Sequence, residues 1–570
     1  MKISNRLSNI NSETFLDDYL AYCGVSNPQE FLNPTELDIE PPEHYENMDE
    51  AYQMLFVKHG IDNIGILQDS DFDGMCSATL MYRFLRDDCS IPEENLTLFS
   101  HINKMHGLED EIVLQQIMDS RIDLLIIPDA GSNDLAQHKL LKEGGLDIIV
   151  LDHHNCKTRS KDAVVINNQM SKNVTNKSAS GTHVTWQFCR YVAGKTKLDI
   201  DVFKYCDLVA FANLADVMSM NGLENRAINH FGLNNINNPF LQALKVKFVD
   251  KKDELIDLTP ERVVWDISPK INALIRSDNQ EGKIKIMEAF VNDENDADFT
   301  QALLILGQAH RKQQAYTKEL TEQLESEVDD SGAVIIQVVD EEVGSYTGLV
   351  AMKLAEKFNK PVILLKEQNE GTKQPCVGSM RSPYALQDIL NQCKFVNWCS
   401  GHASAAGVSI FPNNISKVQS YLNGLELDTE PYTDATYTFN AKSIPDGLFG
   451  IADEYGEIWA NGIEKPVWAI TDIHINGTDI EKIGNGSTRR FSYMGLTYIM
   501  FYQGQSQRDK MHLGEDIDLN VTIIGELGLN EYNGEITNQV VIKQIESLPK
   551  GLKPKESNND EDDSDWEDIF

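Results

Sequence analysis

The stretch that decides the fold is IGILQDSDFDG, residues 64–74, and it is echoed by IDLLIIPDAG at 122–131 and LDIIVLDHH at 146–154. Each is a short, continuous apolar run that ends in carboxylates or imidazoles. Continuous rather than alternating apolar residues describe strands buried on both faces, as in a parallel sheet covered by helices. Amphipathic segments separate the runs, so residues from about 60 to 235 read as an α/β domain. Ligands of open α/β sheets bind outside the carboxyl ends of the strands. Three strand ends that all carry metal-ligating side chains therefore describe a site.

Outward from that core, residues 1–50 read as a helix or two and then the extended, Pro-containing NPTELDIEPPEH. The α/β domain is placed at 51–240, and a connector at 241–331 whose part from about 285 is rich in helix formers at helical spacing. A second, smaller α/β unit follows at 332–428, with strands AVIIQVV and PVILL, the helix GLVAMKLAEKF between them, and then the Gly-rich SGHASAAG. Residues 429–550 alternate in the manner of strands (RRFSYMGLTYIMFYQ, DLNVTIIGEL, NQVVIKQIE) and suit a small β-barrel. The expected fold class is thus α/β: a parallel-sheet domain, a long helix, a smaller α/β domain and a terminal barrel. Residues 551–570 are expected to be a disordered acidic tail; ESNNDEDDSDWEDIF at 556–570 holds eight acidic and no basic side chains.

Composition bounds the function. Hydrophobic content of 41% and charged content of 24% fit a globular protein. No run approaches the roughly 18 apolar residues of a membrane span, and MKISNRLSNINSETFLDD lacks the apolar core of a signal peptide, so a cytoplasmic protein is expected. The nine cysteines include no C-x-x-C pair, which argues for reduced thiols and against a zinc ribbon. The formal net charge is −39. A generic nucleic-acid binder coats itself in Lys and Arg to displace counterions, so any polynucleotide must here be held in a local basic channel.

Asp69, Asp71 and Asp73 alternate at the end of the first strand, where carboxylates can converge on hard divalent cations. Asp and Gly equally favour an N-cap and a turn. Asp129 after the second strand reads as a helix cap or a ligand. Asp152, His153 and His154 end the third; adjacent histidines point to different sides of the chain, so one can ligate a metal while the other faces a substrate oxyanion. Asp216, in DLVAFANLADVMSM, is a carboxylate closing an apolar segment, read as a fourth such end. Each has a bland explanation, but four together do not share one. Carboxylates with one or two imidazoles suit two Mn²⁺ or Mg²⁺ ions. Two such ions, about 3.5–4 Å apart, serve in-line displacement at phosphorus, so phosphoester hydrolysis is the natural chemistry.

DSDFDG, PDAG, LDHH and LADVM resemble, in order and spacing, the four motifs of the DHH phosphoesterase superfamily, and LADVMSMNGLENRAINHFGLNNINN resembles the RecJ branch of single-strand-specific exonucleases. PKINALIR (269–276), GSMRS (378–382), SGHASAAG (400–407) and NEYNGEITNQVVI (530–542) resemble further segments of that branch, the last in its OB-fold. The resemblance covers about residues 45–548. It implies a DHH domain, a DHH-associated domain and an OB-fold, and a 5′-to-3′ exonuclease releasing 5′-mononucleotides from single-stranded DNA. It implies two divalent cations held by Asp69, Asp71, Asp73, Asp129, His153 and Asp216, with Asp129 bridging and Asp73 a ligand or a turn-setting residue. His154 should face the scissile phosphate, with Asp152 orienting it from behind. Lys104, Asn272, Arg276, Ser379, Arg381 and His402 should contact substrate. Compactness points to a phage-encoded relative.

There are departures. Gln68 stands where the family commonly has Gly, Lys104 in place of an arginine that holds the 5′ end, and Ser400 in place of the first Gly of G-G-H. Competing readings are a DHH phosphodiesterase of short oligonucleotides or cyclic dinucleotides, and a non-catalytic DHH scaffold in a replication or repair assembly. A monomer is expected. The tail resembles the tip of single-stranded-DNA-binding proteins and is read as a DNA mimic, as a dock for a partner that receives such tips, or as a solubilising device.

Overall fold

The structure is a computed structural model that describes residues 2–550 except 61, 102–104, 197–198, 252–253, 293–295, 341–345, 367–373, 426–431, 485–487, 502–510, 513 and 533. After a short strand β1 (Lys2–Asn5), the first sheet comprises β2 (Ile64–Gln68), β3 (Leu96–Ser100), β4 (Leu124–Pro128), β5 (Asp147–Asp152) and β6 (Val164–Asn167). Its order is β3-β2-β4-β5-β6 and every pairing is parallel. β2, β4, β5 and β6 are buried at every residue, as their continuous apolar runs require. Side chains alternate between two cores with the period of two that a strand imposes. Ile64, Ile66, Leu124, Ile126, Ile149 and Leu151 pack on one face under helices Phe72–Arg83, Gly181–Lys195 and Cys206–Ala215. Leu67, Leu125, Ile127, Ile148 and Val150 pack on the other, against Val113, Ile117 and Leu141. The strand order reverses between β2 and β4, which is where such a sheet opens a crevice at its carboxyl edge.

The second sheet comprises β7 (Ile335–Val339), β8 (Val362–Lys366), β9 (Cys376–Arg381), β10 (Val396–His402) and β11 (Ala405–Ile410), in the order β10-β11-β9-β8-β7. Only β7 and β8 pair in parallel. The 32-residue helix Asp296–Glu327 serves both cores: Phe299, Ala302 and Leu306 pack into the first, Leu320 and Leu324 into the second. All nine cysteines are free thiols, and no helix among the described residues is long and apolar enough to cross a membrane.

The chain divides into two compact units, residues 16–425 with 455–464, and residues 1–15 with 426–454 and 465–570. In the latter, β12 (Tyr432–Ala435) pairs with β1. A seven-stranded mixed sheet follows, built of β13 (Thr438–Asn440), β14 (Trp468–Asn476), β15 (Glu481–Ile483), β16 (Thr488–Tyr493), β17 (Leu496–Met500), β18 (Asp518–Tyr532) and β19 (Glu535–Pro549), in the order β13-β14-β18-β19-β17-β16-β15. The alternating sequence of this region predicts such a β-rich unit. The pairing of the outer strands β13 and β15 that would close a barrel is absent among the described residues.

Residues Tyr455–Glu464 return to the first unit and brace the loop after Asp216. Val217 there has a φ of 56°, costly for a β-branched residue. Asn461 Nδ2 donates to the Val217 carbonyl at 2.7 Å, and the Asn461 carbonyl accepts from Met220 N at 2.8 Å. Nearby, the buried Arg226 guanidinium donates to Glu457 at 2.7 Å and to the Phe31 carbonyl at 3.2 Å. Glu457→Ala leaves that buried cation without its carboxylate. The substitution is expected to cost the first unit about 1–3 kcal/mol, the partial exposure of Glu457 moderating the usual loss for a broken buried pair. Equilibrium denaturation measures it, and an unchanged midpoint would show that the segment does not brace this unit.

Candidate active site

Asp69, Asp71, Asp73, Asp129, Asp152 and His153 all lie at the carboxyl edge of the first sheet, just beyond or at the ends of β2, β4 and β5. Asp216 corrects the sequence reading of four strand ends: it is the C-cap of helix Cys206–Ala215. That run is buried all round, and an apolar segment without periodicity does not distinguish a strand from a buried helix.

The cap-and-turn reading of the first motif is realised. Asp71 is the N-cap of helix Phe72–Arg83, its Oδ1 accepting from Gly74 N at 2.9 Å. Asp73 receives the first N–H groups of helix Gly181–Lys195: Gly181 N at 2.7 Å, Thr182 N at 2.9 Å and Thr182 Oγ1 at 2.6 Å. A carboxylate at a helix N-terminus satisfies orphan donors and meets the positive end of the dipole. Asp69 accepts from Gly107 N at 3.0 Å and lies 2.6 Å from His106 Nδ1.

Asp129 differs from the others. Its backbone has a φ of 71°, its N–H donates to the Leu151 carbonyl at 2.8 Å, and it is 1% exposed. Neither carboxylate oxygen has a hydrogen-bond partner. Helix Gly181–Lys195 starts directly against it; a Cβ on Gly181 would stand 2.2 Å from Asp129 Oδ1. The nearest ring nitrogen, His153 Nε2, stands 3.3 Å from Oδ1, and a buried carboxylate so poorly supplied with donors is expensive unless a cation meets it.

Ligand atoms surround that carboxylate in three groups, each drawn within 4.8 Å: Asp69, Asp71 and His106; Asp73, His153 and Asp216; and Asp129 with His153 and His154. The donors are carboxylate oxygens and imidazole nitrogens, a set that fits Mn²⁺ or Mg²⁺. His106 is not singled out by the sequence. It is the second of two histidines in HINKMHGL, 37 residues from its partner Asp69, and the only local hint is the Gly107 after it.

The titration behaviour follows from this crowding. Burial, then repulsion from Asp69 and Asp73, pushes Asp71 up to about 6. Burial, then Asp73 and Asp71, pushes Asp216 up to about 8. The same causes hold Asp129 well above the usual carboxylate range. Burial lowers His153, which favours the neutral, metal-ligating imidazole. Asp152 is the exception. Burial works to raise it, yet hydrogen bonds from His154 and Ser132 hold it well below the usual range. Its Oδ1 lies 2.8 Å from His154 Nδ1 and accepts from His153 N at 2.7 Å, while Oδ2 accepts from Ser132 N at 2.9 Å. That hydrogen bond raises His154 to about 9, so an imidazolium with a half-exposed side chain borders the site at neutral pH.

The second sheet supplies a cationic patch. Ser379 and Arg381 lie on β9, the Ser379 hydroxyl 3.0 Å from Thr347 Oγ1 at the first turn of helix Thr347–Phe358. Arg276 caps helix Ser268–Ile275. It lies close enough that, after burial, its charge lowers Arg381. Asn272 is half-buried on the same helix. Lys104 lies outside the described residues, and His402 is described only as the last residue of β10.

Asp71, Asp216 and His154 all have folded-state values above their ordinary ones. The stability they confer is complete below about pH 4 and is lost as pH rises toward about 9. Above about pH 6.5, where the oppositely shifted His153 adds no further change, metal-free protein should therefore melt at falling temperature as pH rises. A divalent cation takes the place of the protons, so the stabilisation gained from Mn²⁺ should grow by several degrees over the same interval. Thermal unfolding with and without Mn²⁺ reads both, and a gain independent of pH would contradict the assignment.

The DHH family, N-terminal domain, matches residues 63–212. The chain is 30% identical over 556 residues to the SPbeta prophage-derived YorK of Bacillus subtilis (strain 168), named as a single-strand DNA-specific exonuclease; 92% of this chain and 94% of that protein are covered. A counterpart of the same name in Bacillus phage SPbeta matches equally. The single-stranded-DNA-specific exonuclease RecJ of Bacillus subtilis (strain 168) is 23% identical, over 90% of this chain and 65% of its own length. The crystal structure of Thermus thermophilus RecJ in complex with Mn²⁺ shares the fold, with a TM-score of 0.74 at 20% identity over 97% of this chain and 80% of that one. At the identity and coverage shared with YorK, the chain belongs to the RecJ-like single-strand-DNA-specific exonucleases of the DHH family.

Proposed function

We propose that the protein is a metal-dependent exonuclease that hydrolyses single-stranded DNA from its 5′ end to 5′-mononucleotides. The observation that carries this reading is the buried Asp129 carboxylate, which has no hydrogen-bond partner at either oxygen, only the His153 imidazole 3.3 Å from Oδ1, and sits with the Asp69–Asp71–His106 and Asp73–His153–Asp216 groups at the same crevice. Those residues would hold two divalent cations with Asp129 shared. The cations supply positive charge to the attacking and leaving oxygens of an in-line displacement at phosphorus. The names of the relatives, and the Mn²⁺ in the Thermus thermophilus RecJ structure, support the substrate class and the metal.

The chain's own groups divide the remaining work. His154, held as an imidazolium by Asp152, faces the scissile phosphate and meets its charge. Arg276 and Arg381 offer planar forks of donors that suit phosphate oxygens. Neither makes an ion pair with a carboxylate among the described residues, which leaves both for an anion. Helix Thr347–Phe358 has no side-chain cap, so its first N–H groups and the Ser379 hydroxyl join the grip. We assign residues 51–240 as the DHH domain, 332–428 as the DHH-associated domain across the cleft, and 429–550 as an OB-like unit that holds the strand. The acidic segment 556–570 lies outside the described residues; by its composition it is assigned as a polyanion that competes with substrate, engages a DNA-binding partner or serves solubility.

Asp129→Ala is expected to lower hydrolysis of single-stranded DNA by about a hundredfold or more at saturating Mn²⁺, because both ions lose a shared ligand. Activity within about tenfold of the parent would sink the two-metal assignment. A 5′-phosphorylated strand should be cut faster than a 5′-hydroxyl one, and Arg381→Ala should erase that difference more than it weakens binding of long strands. Mononucleotide release from the 3′ end would show that the polarity is wrong.

A further inference from the structure

On β9, β10 and β11 of the second sheet, one face is covered and the other is open. Met380, Ala406, Val408, Ile410 and Cys399 are buried on the covered face. The open face is set by register. Arg381 pairs with Ala405, which pairs with His402; Ser379 pairs with Gly407, which pairs with Ser400. Residues paired across antiparallel strands point to the same side, so Ser379, Arg381 and position 407 share one surface.

Trp398 lies on this surface. Its six-membered ring stands 3.2 and 3.4 Å from where a Cβ on Gly407 would be, yet the residue remains 43% exposed. The absence of a side chain at Gly407 lets the outer edge of the indole approach the backbone of β11; a Cβ there would crowd it. Adjacent strands are about 4.8 Å apart, so the ring sits within one strand spacing of Ser379 in the phosphate grip. None of the contacts just described involves its indole N–H. An exposed aromatic beside cations suited to a phosphate is the arrangement by which single strands are bound without regard to sequence.

We propose that Trp398 is a stacking platform for the base of the nucleotide whose phosphate Ser379 and Arg381 grip. The proposal rests on the single-strand reading above and extends it to a base contact that tolerates every base, because every base presents a π-face. It also gives Gly407 a role: the space for the platform.

The test is equilibrium binding of a labelled oligonucleotide to the full chain in EDTA, where no turnover occurs. Parent, Trp398→Ala, Trp398→Phe and Gly407→Ala are compared on an intact strand and on strands carrying one abasic sugar at successive positions. Trp398→Ala should weaken the intact strand about tenfold, Trp398→Phe should retain most of the affinity, and Gly407→Ala should resemble Trp398→Ala. At one abasic position the parent should fall to the level of Trp398→Ala, and Trp398→Ala should lose nothing further. Thermal unfolding of each variant accompanies the binding. Unchanged affinity of Trp398→Ala overturns the platform, as does equal weakening of every strand, abasic or not. A parent that binds no single strand at all overturns the substrate reading itself, and that outcome is visible before any variant is made.

Discussion

Five carboxylates share one crevice, and the structure around them is organised by what it takes to keep them there. Asp69, Asp73 and Asp129 are buried, and Asp71 and Asp216 partly so. Each of the first three accepts backbone N–H groups that offset part of the cost. Asp129 accepts none. Removing an ion from water costs several kcal/mol even after relaxation, and neighbouring acids add repulsion. Protons or cations can relieve that, and the raised Asp71, Asp129 and Asp216 register the demand. The fold resists relaxation from three sides. Two apolar cores clamp the strands, Gly181 closes on Asp129, and the Tyr455–Glu464 segment holds the loop after Asp216. Residues Asp129 and Val217, both at positive φ, flank the ligands, consistent with strain stored at a functional site.

The same principle of local charge balance accounts for a nucleic-acid enzyme that carries a net charge of −39. Acidic residues elsewhere disfavour nonspecific adhesion, while Arg276, Arg381, His154 and a helix N-terminus concentrate positive charge at the groups proposed to hold phosphate. Binding then depends on a few contacts and on stacking, which makes an exposed aromatic such as Trp398 more consequential than it would be on a basic surface.

Much of the first sheet is legible in the sequence because strands buried on both faces leave continuous apolar runs, and because the ligands sit immediately after them in IGILQDSDFDG, IDLLIIPDAG and LDIIVLDHH. Asp216 is legible as a residue but not as a helix cap, since a helix packed all round carries no amphipathic signature. His106 is invisible: the loop that carries it reaches Asp69 only because Asp69 Oδ1 accepts from Gly107 N and Asp134 Oδ2 accepts from Leu108 N, long-range contacts with no local spacing. The return of residues 455–464 to the first unit leaves no trace either, because a short polar-flanked segment looks the same whichever core it serves. Gly407 closes the SGHASAAG motif and Trp398 lies just before it, with no signal in sequence that the two meet; the register of β10 and β11 makes them one surface.

The proposed site rests most directly on two cations sharing Asp129. Anomalous scattering at the manganese edge, from crystals of the protein equilibrated with Mn²⁺, locates them without reference to activity. Two peaks per chain are expected, about 3.5–4 Å apart, one among Asp69, Asp71 and His106, the other among Asp73, His153 and Asp216, with Asp129 between them. A single peak, or two peaks neither of which touches Asp129, would contradict it.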